Sequence, residues 1–193
     1  MEERTLVVIK SDGVSRGLMG KIISRFEEVG LKFVGVKLLK VSRELAEKHY
    51  PVTREAWLRM MGEKTLENYK KFNVDPIKML GTNDTHEIGL MIQKWLIDYI
   101  ASGPVLAFVL EGPHSVELVR KISGHTLPLL SAPGTIRGDF AFDSSYLANT
   151  GKRAIKNLVH SSGSIEEAQY EIPLWFSKDE LLSYQRVEEK VMR

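Results

Sequence analysis

Side chains able to do chemistry are spread along the chain, not gathered in one motif. Lys10 opens Lys10-Ser11-Asp12-Gly13-Val14, Arg120 stands alone, and Arg137 lies within Gly134-Thr135-Ile136-Arg137-Gly138-Asp139-Phe140. His160 lies within Asn157-Leu158-Val159-His160-Ser161-Ser162-Gly163-Ser164. Arginine presents a planar fork that pairs bidentately with phosphate oxygens, and lysine a compact point charge. A free imidazole titrates near about 6.5, so histidine in general can offer a neutral, nucleophilic nitrogen at neutral pH. Moving a phosphoryl group asks for positioning and for compensation of charge on the oxygens as bonds loosen, which cations supply.

Other chemistries are excluded by spacing. Gly20-Lys21 lacks the earlier glycine of a Walker A loop, with Ser15 in its place, and is followed by Ile22 where Ser or Thr belongs. No two of the 15 glycines are spaced as G-x-G, and His86-Glu87 has no second histidine four residues after His86, so dinucleotide-binding and zincin signatures are missing. With no cysteine there is no disulfide framework, thiolate zinc site or cysteine nucleophile. Lys and Arg number 27 against 25 Asp and Glu, a net charge of +2 that does not point to nucleic acid as a partner. Neither a secretory signal nor a membrane-spanning stretch is read at the amino terminus or elsewhere, so the expected location is the cytoplasm.

These residues must be held by elements that the apolar pattern outlines. Thr5 to Lys10 is a β-branched run closed by Asp12-Gly13, a buried strand entering a turn. Leu18, Ile22, Phe26 and Val29 recur at helical spacing before Gly30, placed as a C-terminal cap. Leu31 to Val41 reads as a second strand, and Ser42 caps a short helix ending near Tyr50. From Pro51 to Ile100 the chain is mostly helical without one clean apolar face. Val105 to Leu110 is the third strand, and Val116, Leu118, Val119 and Ile122 belong to the next helix. Residues 124–157 are rich in Gly, Pro, Ser and Thr, and such a long irregular segment is often functional. Leu158-Val159 begins the last strand, and Ser164 with Glu167 and Ser177 with Glu180 read as capping boxes. Strand, helix, strand, strand, helix, strand is the order of an α+β, ferredoxin-like split β-α-β fold: a four-stranded antiparallel sheet with helices packed on it.

Taken in order, the four motifs resemble the nucleoside diphosphate kinase family, from Glu3 to about Tyr184. The resemblance implies one domain over 1–193, with about 51–91 and 143–156 as longer segments than the family usually has. It implies that a nucleoside triphosphate gives its γ-phosphoryl group to His160, and that a nucleoside diphosphate then takes it, in ping-pong fashion. By the same resemblance Lys10 meets the transferring group, Glu171 orients His160, and Ser162 hydrogen-bonds the Glu171 carboxylate. Arg120, Arg137 and Thr126 contact nucleotide phosphates, Tyr50 the transferring phosphate region and Asn157 the ribose. Ile92 and Leu96 fall where the base would stack, with Trp95 a possible substitute. Mg2+ is expected, carried mainly by the nucleotide phosphates, as is a homo-oligomer, with a hexamer favoured.

Departures from the family pattern stand beside the match. Ser161 and Gly163 replace the Gly and Asp that usually follow the histidine, Ser11 replaces a proline, and Leu127 an Asn. They keep open an alternative: a non-catalytic nucleotide-binding module, or a regulatory protein carrying phosphohistidine. His49, His86, His114 and His125 are read as structural, and the two longer segments as surface decoration or subunit contacts.

Overall fold

The computed structural model describes residues 2–187 and 189–192. Four strands, β1 (Glu2–Ile9), β2 (Lys32–Lys40), β3 (Pro104–Pro113) and β4 (Val159–Ser161), form one antiparallel sheet in the order β2-β3-β1-β4. This is the expected α+β arrangement. β1 and β3 lie at the centre and are buried on both faces, which explains their unbroken apolar runs. Alternation sends Leu6, Val8, Val105, Ala107 and Val109 to one face and Val7, Ile9, Leu106, Phe108 and Leu110 to the other.

Each face buries a helical layer. On the first lie α3 (Arg43–His49), α6 (Thr85–Ile100) and α10 (Ile165–Trp175), through Ala46, Ile97, Ile100, Ala168, Ile172 and Trp175. On the second lie α2 (Met19–Glu27), α7 (Ser115–Ser123) and α8 (Ile136–Phe140), through Ile22, Phe26, Val119 and Ile136. Ser42 caps α3 as expected, its side chain accepting from the Leu45 N–H at 3.1 Å.

Three local expectations are corrected. Asp12-Gly13, read as a turn, lies within a short helix, α1 (Ser11–Ser15), whose first turn carries Asp12. The irregular stretch 124–157 holds α8, α9 (Ser145–Thr150) and a 3-10 turn at Pro128–Leu130, because Thr135 and Ser144 cap helices too short to show periodicity. The Ser164–Glu167 box is half formed. Ser164 accepts from the Glu167 N–H, but the Glu167 carboxylate turns to the Gly163 N–H at 2.7 Å and to Arg54 at 2.8 Å. The Ser177–Glu180 box is complete, ahead of a 3-10 turn at Lys178–Glu180.

The two longer segments pack on each other. The first holds α4 (Glu55–Lys71), α5 (Pro76–Leu80) and the start of α6, and the second holds α9. Buried Tyr69 donates its hydroxyl to the Asn149 carbonyl at 3.2 Å, and the Phe72 and Tyr146 rings lie 4.8 Å apart. Helices α4 and α6 cross at glycine. A Cβ on Gly62 would fall 2.0 Å from the Thr85 carbonyl oxygen, and one on Gly89 2.2 Å from that of Leu58.

Candidate active site

His160 is central in β4, an edge strand, paired across to Val8. Its Nε2 lies 3.0 Å from the Glu171 carboxylate on α10. A carboxylate only accepts, so the proton sits on Nε2 and the Nδ1 lone pair is left available. Ser162 Oγ donates to the same carboxylate at 2.7 Å and accepts from the Leu6 N–H at 3.3 Å. Burial pushes the Glu171 carboxyl up, but His160, His49 and the Ser162 hydroxyl outweigh it and bring it down to about 2. The side chain of His160 is 16% exposed, so the ring is reachable, whereas Glu171 and Ser162 are not.

The backbone before His160 is strained. Leu158 has φ of +67°, and the Val159 N–H bonds the Asn157 carbonyl two residues back at 2.7 Å, the hydrogen bond of a γ-turn. A bulky residue held there costs about 1–3 kcal/mol, offset by the fully buried Leu158 side chain and by the Lys10 N–H bond to its carbonyl at 2.7 Å.

Lys10 follows β1 directly, which puts it beside the chain entering β4. Its ammonium donates to Asn157 Oδ1 at 2.7 Å and lies 5.0 Å from the centroid of the Tyr99 ring. Burial and then the Arg137 charge, only partly opposed by Asp12, bring its pKa down to about 7. Arg137, at the start of α8, is fixed by three backbone carbonyls: Gly124 at 2.7 Å, Val159 at 2.8 Å and Asn157 at 3.2 Å. Burial and then Arg120 lower its pKa to about 10, which leaves it charged at neutral pH. Two cations held together by carbonyls and an amide form a site short of negative charge, the electrostatic condition for binding an anion. Asn157 bridges further, donating Nδ2–H to the Thr126 carbonyl at 2.9 Å.

The remaining expected residues fall in different places. Arg120 is exposed on α7, with Nη1 3.4 Å from where a Cβ on Gly163 would stand, so it faces the turn after the nucleophile strand. Thr126 is exposed and reaches the centre through its carbonyl. Tyr50, at the end of α3, is half-buried, its ring 4.6 Å from that of His49, and burial pushes its phenol up. Ile92, buried, and Leu96, half-buried, both stand on α6. Ile92 is 7% exposed and shares the α6 face with Gly89, which lies on the Leu58 backbone of α4.

His49, read as structural, stands at the centre instead. Its ring is 4.4 Å from that of His160 at 82°, its Nδ1 accepts from the Trp175 indole at 3.3 Å, and the same nitrogen is 3.6 Å from Glu171. Burial and then the His160 charge depress its pKa to about 3, so it stays neutral. Its Nε2 has no hydrogen-bond partner among the described residues. The only sequence signal was its position directly before Tyr50. Of the others, His86 pairs with Glu55 at 3.0 Å.

The departures have local explanations. Ser11 Oγ shares a hydrogen bond with Ser102 at 2.7 Å, joining the end of β1 to the chain before β3. Where the family carries Asp, Gly163 leaves room that the Glu167 carboxylate fills: a Cβ there would be 2.6 Å from its Oε2. Among the described residues the one group of three metal-type donors is His49, His160 and Glu171. Two imidazoles and one carboxylate do not match the oxygen preference of Mg2+, so this group does not fit a protein cage for that ion.

Comparison with known proteins follows the same lines. The family model described as nucleoside diphosphate kinase matches residues 3–61 and 85–181, leaving 62–84 outside. A nucleoside diphosphate kinase of Pyrobaculum aerophilum is 47% identical over 180 residues, covering 93% of this chain and 98% of that protein. One from Pyrococcus horikoshii is 45% identical over 184 residues, covering 95% and 91%. A crystal structure of an NDP kinase from Pyrobaculum aerophilum superposes with a TM-score of 0.92 at 45% identity, covering 95% of this chain and all of that one. A transition-state mimic of nucleoside-diphosphate kinase from Borrelia burgdorferi, with bound vanadate and ADP, gives a TM-score of 0.77 at 38% identity, covering 97% and 95%.

Proposed function

Since the chain belongs to the nucleoside diphosphate kinase family, and is thereby a nucleotide phosphotransferase, we propose that it works through a phosphohistidine on Nδ1 of His160. The observation that carries this is the 3.0 Å contact between His160 Nε2 and Glu171, which commits one ring nitrogen to the carboxylate and frees the other. Nδ1 attacks the γ-phosphorus, the bond from that phosphorus to its bridging oxygen breaks, and the nucleoside diphosphate leaves with the electron pair. The ring becomes cationic as the new bond forms, and the buried Glu171 carboxylate, steadied by Ser162, compensates that charge through the Nε2 proton. A second diphosphate reverses the step.

Lys10, Arg137 and Arg120 are the cations proposed to hold the phosphates, with Tyr50 and Thr126 beside them and Asn157 serving both Lys10 and the ribose. Ile92 and Leu96 stay on the wall of the nucleotide cleft in this reading. Mg2+, when bound on the nucleotide, neutralises phosphate oxygens. The chain is read as one domain acting in the cytoplasm as a homo-oligomer, a hexamer favoured, with no nucleic-acid or membrane partner; no helix among the described residues is long and apolar enough to cross a membrane. A binding-only role is not favoured, because the Ser162–Glu171–His160 chain has no missing member.

The test is phosphoryl uptake. Incubated with Mg2+ and γ-labelled nucleoside triphosphate, the protein should gain an acid-labile label that a nucleoside diphosphate removes. His160→Ala should take up none and Lys10→Ala should take it up slowly. A wild type that binds nucleotide but stays unlabelled refutes the proposal.

A further inference from the structure

Asp12 stands in the first turn of α1, two residues after Lys10, and the transfer step above makes no use of it. Its Oδ2 accepts the Leu158 N–H at 3.3 Å, from the far end of the chain. Its Oδ1 is buried too, and the Tyr99 hydroxyl of α6 faces the same carboxylate. Burial and then the Asp12 charge push the Tyr99 phenol up, so that ring stays neutral. Gly13 lets α1 sit this close: a Cβ there would fall 2.7 Å from Cγ2 of Ile9 and 3.4 Å from the Leu158 carbonyl oxygen.

The Leu158 N–H belongs to the strained turn that leads into His160. Around it, Arg137 takes the Asn157 and Val159 carbonyls at 3.2 and 2.8 Å, and the Lys10 N–H takes the Leu158 carbonyl at 2.7 Å. The Leu158 N–H is left for Asp12. A leucine stays at φ of +67° only where its surroundings over-determine it. The shape of this turn sets where β4 delivers His160.

The same carboxylate acts on Lys10. Within range of that ammonium lie Arg137 from α8, Asp12 from α1, the Tyr99 ring from α6, Asn157 Oδ1 before β4 and His49 from α3. Tyr99 and His49 are neutral, so the charges that compete are Arg137, which disfavours the ammonium, and Asp12, which favours it.

We infer that Asp12 is a positioning residue for phosphoryl transfer, its carboxylate both holding the turn that delivers His160 and opposing the Arg137 charge at Lys10. The inference rests on the transfer reading above for the roles of His160 and Lys10.

Rates of phosphorylation and transfer in Asp12→Asn and Asp12→Ala between about pH 5.5 and 9 test it. Asparagine keeps an oxygen for the Leu158 N–H and removes the charge. At about pH 5.5, where Lys10 is mostly protonated, Asp12→Asn should run within about twofold of wild type. The basic limb of its kcat/KM profile, which reports the free protein, should move down by about one pH unit, a further loss of about tenfold at pH 8. Asp12→Ala removes the acceptor as well and should phosphorylate about tenfold more slowly at every pH, without recovery in acid. Should the alanine variant fold poorly, the asparagine profile and its Tm decide. An asparagine profile that superimposes on wild type, or one lowered equally at every pH, overturns the inference, as does a folded alanine variant that matches asparagine at about pH 5.5. The pH dependence of ADP affinity separates this inference from the transfer mechanism. A labelled wild type whose ADP limb does not move in Asp12→Asn sinks only the role of Asp12, and an unlabelled wild type whose limb does move sinks only the transfer mechanism.

Discussion

The phosphate centre and the helical layer beside it are assembled on opposite terms. In the centre, three charged groups are buried and fixed by named partners: Arg137 by three carbonyls, Lys10 by Asn157, Glu171 by His160 and Ser162. In the layer of α4, α5 and α9, contact is a matter of shape. Gly62 and Gly89 allow two backbones to touch, and Phe72, Ile77 and Tyr146 remain largely exposed. Buried charges demand exact partners because an unpaired one costs several kcal/mol, while apolar surfaces tolerate variation. Chemistry is therefore concentrated where displacement is least tolerated, and the part of that layer outside the family match, 62–84, carries none of the phosphate side chains.

The sharpest way to break that contrast is at the nucleophile. His160→Ala should lower phosphotransfer by about four orders of magnitude or more, as removal of a nucleophile does elsewhere, with nucleotide affinity kept; quench-flow with labelled triphosphate and a parallel binding titration check both halves. Lys10→Ala comes next. Losing a donor aimed at the transferring group should slow the step by about 10²–10³, read in the same quench-flow traces.

Glu171→Gln tests how far orientation alone matters. It keeps the shape and removes the charge that opposes the cationic ring, so single-turnover phosphorylation should slow by about 10- to 100-fold while ADP affinity holds. A variant as fast as wild type would show that the carboxylate is only structural.

In the layer the expected effect is on stability and not on rate. Gly89→Ala drives a methyl group into the Leu58 carbonyl and should cost about 1–3 kcal/mol, seen as a fall in Tm by calorimetry. Transfer per folded molecule should change less than about threefold, and a collapse in turnover would show the two regions to be coupled.

The smallest effect is in proton counting. Lys10, at about 7 in the free protein, returns toward its ordinary value when phosphates neutralise the site. Between about pH 7 and 10 the complex then holds more protons than the free protein, so nucleotide binding takes up protons and weakens as pH rises. Calorimetry in buffers of different ionisation heat should show up to one proton bound at pH 8. In Lys10→Met it should show none.

Much of the centre was legible in the chain because the groups that bear charge sit in short local motifs. Lys10 directly follows an apolar strand, Arg137 starts a helix behind a Thr cap, and His160 sits in the middle of a short edge strand, each position readable from neighbours within a few residues. His49 was not legible. Its role comes from contacts with Trp175 and Glu171, more than 120 residues away, and nothing near it in the chain signals them. Helix α1 was missed for a related reason: Asp12-Gly13 reads locally as a turn, but the Asp12 carboxylate accepts the Leu158 N–H at 3.3 Å and Gly13 lies against Ile9 and Leu158, contacts that local propensity does not contain.

By itself the sequence determined the succession of strands and helices along the chain, the α+β class and the identity of the reactive groups, because apolar period and residue chemistry are local properties. Only the tertiary structure decided which nitrogen of His160 is free, that Lys10 is starved of negative charge, and that the two longer segments pack on each other. Protonation and packing depend on what surrounds a group in space, and those neighbours come from all along the chain.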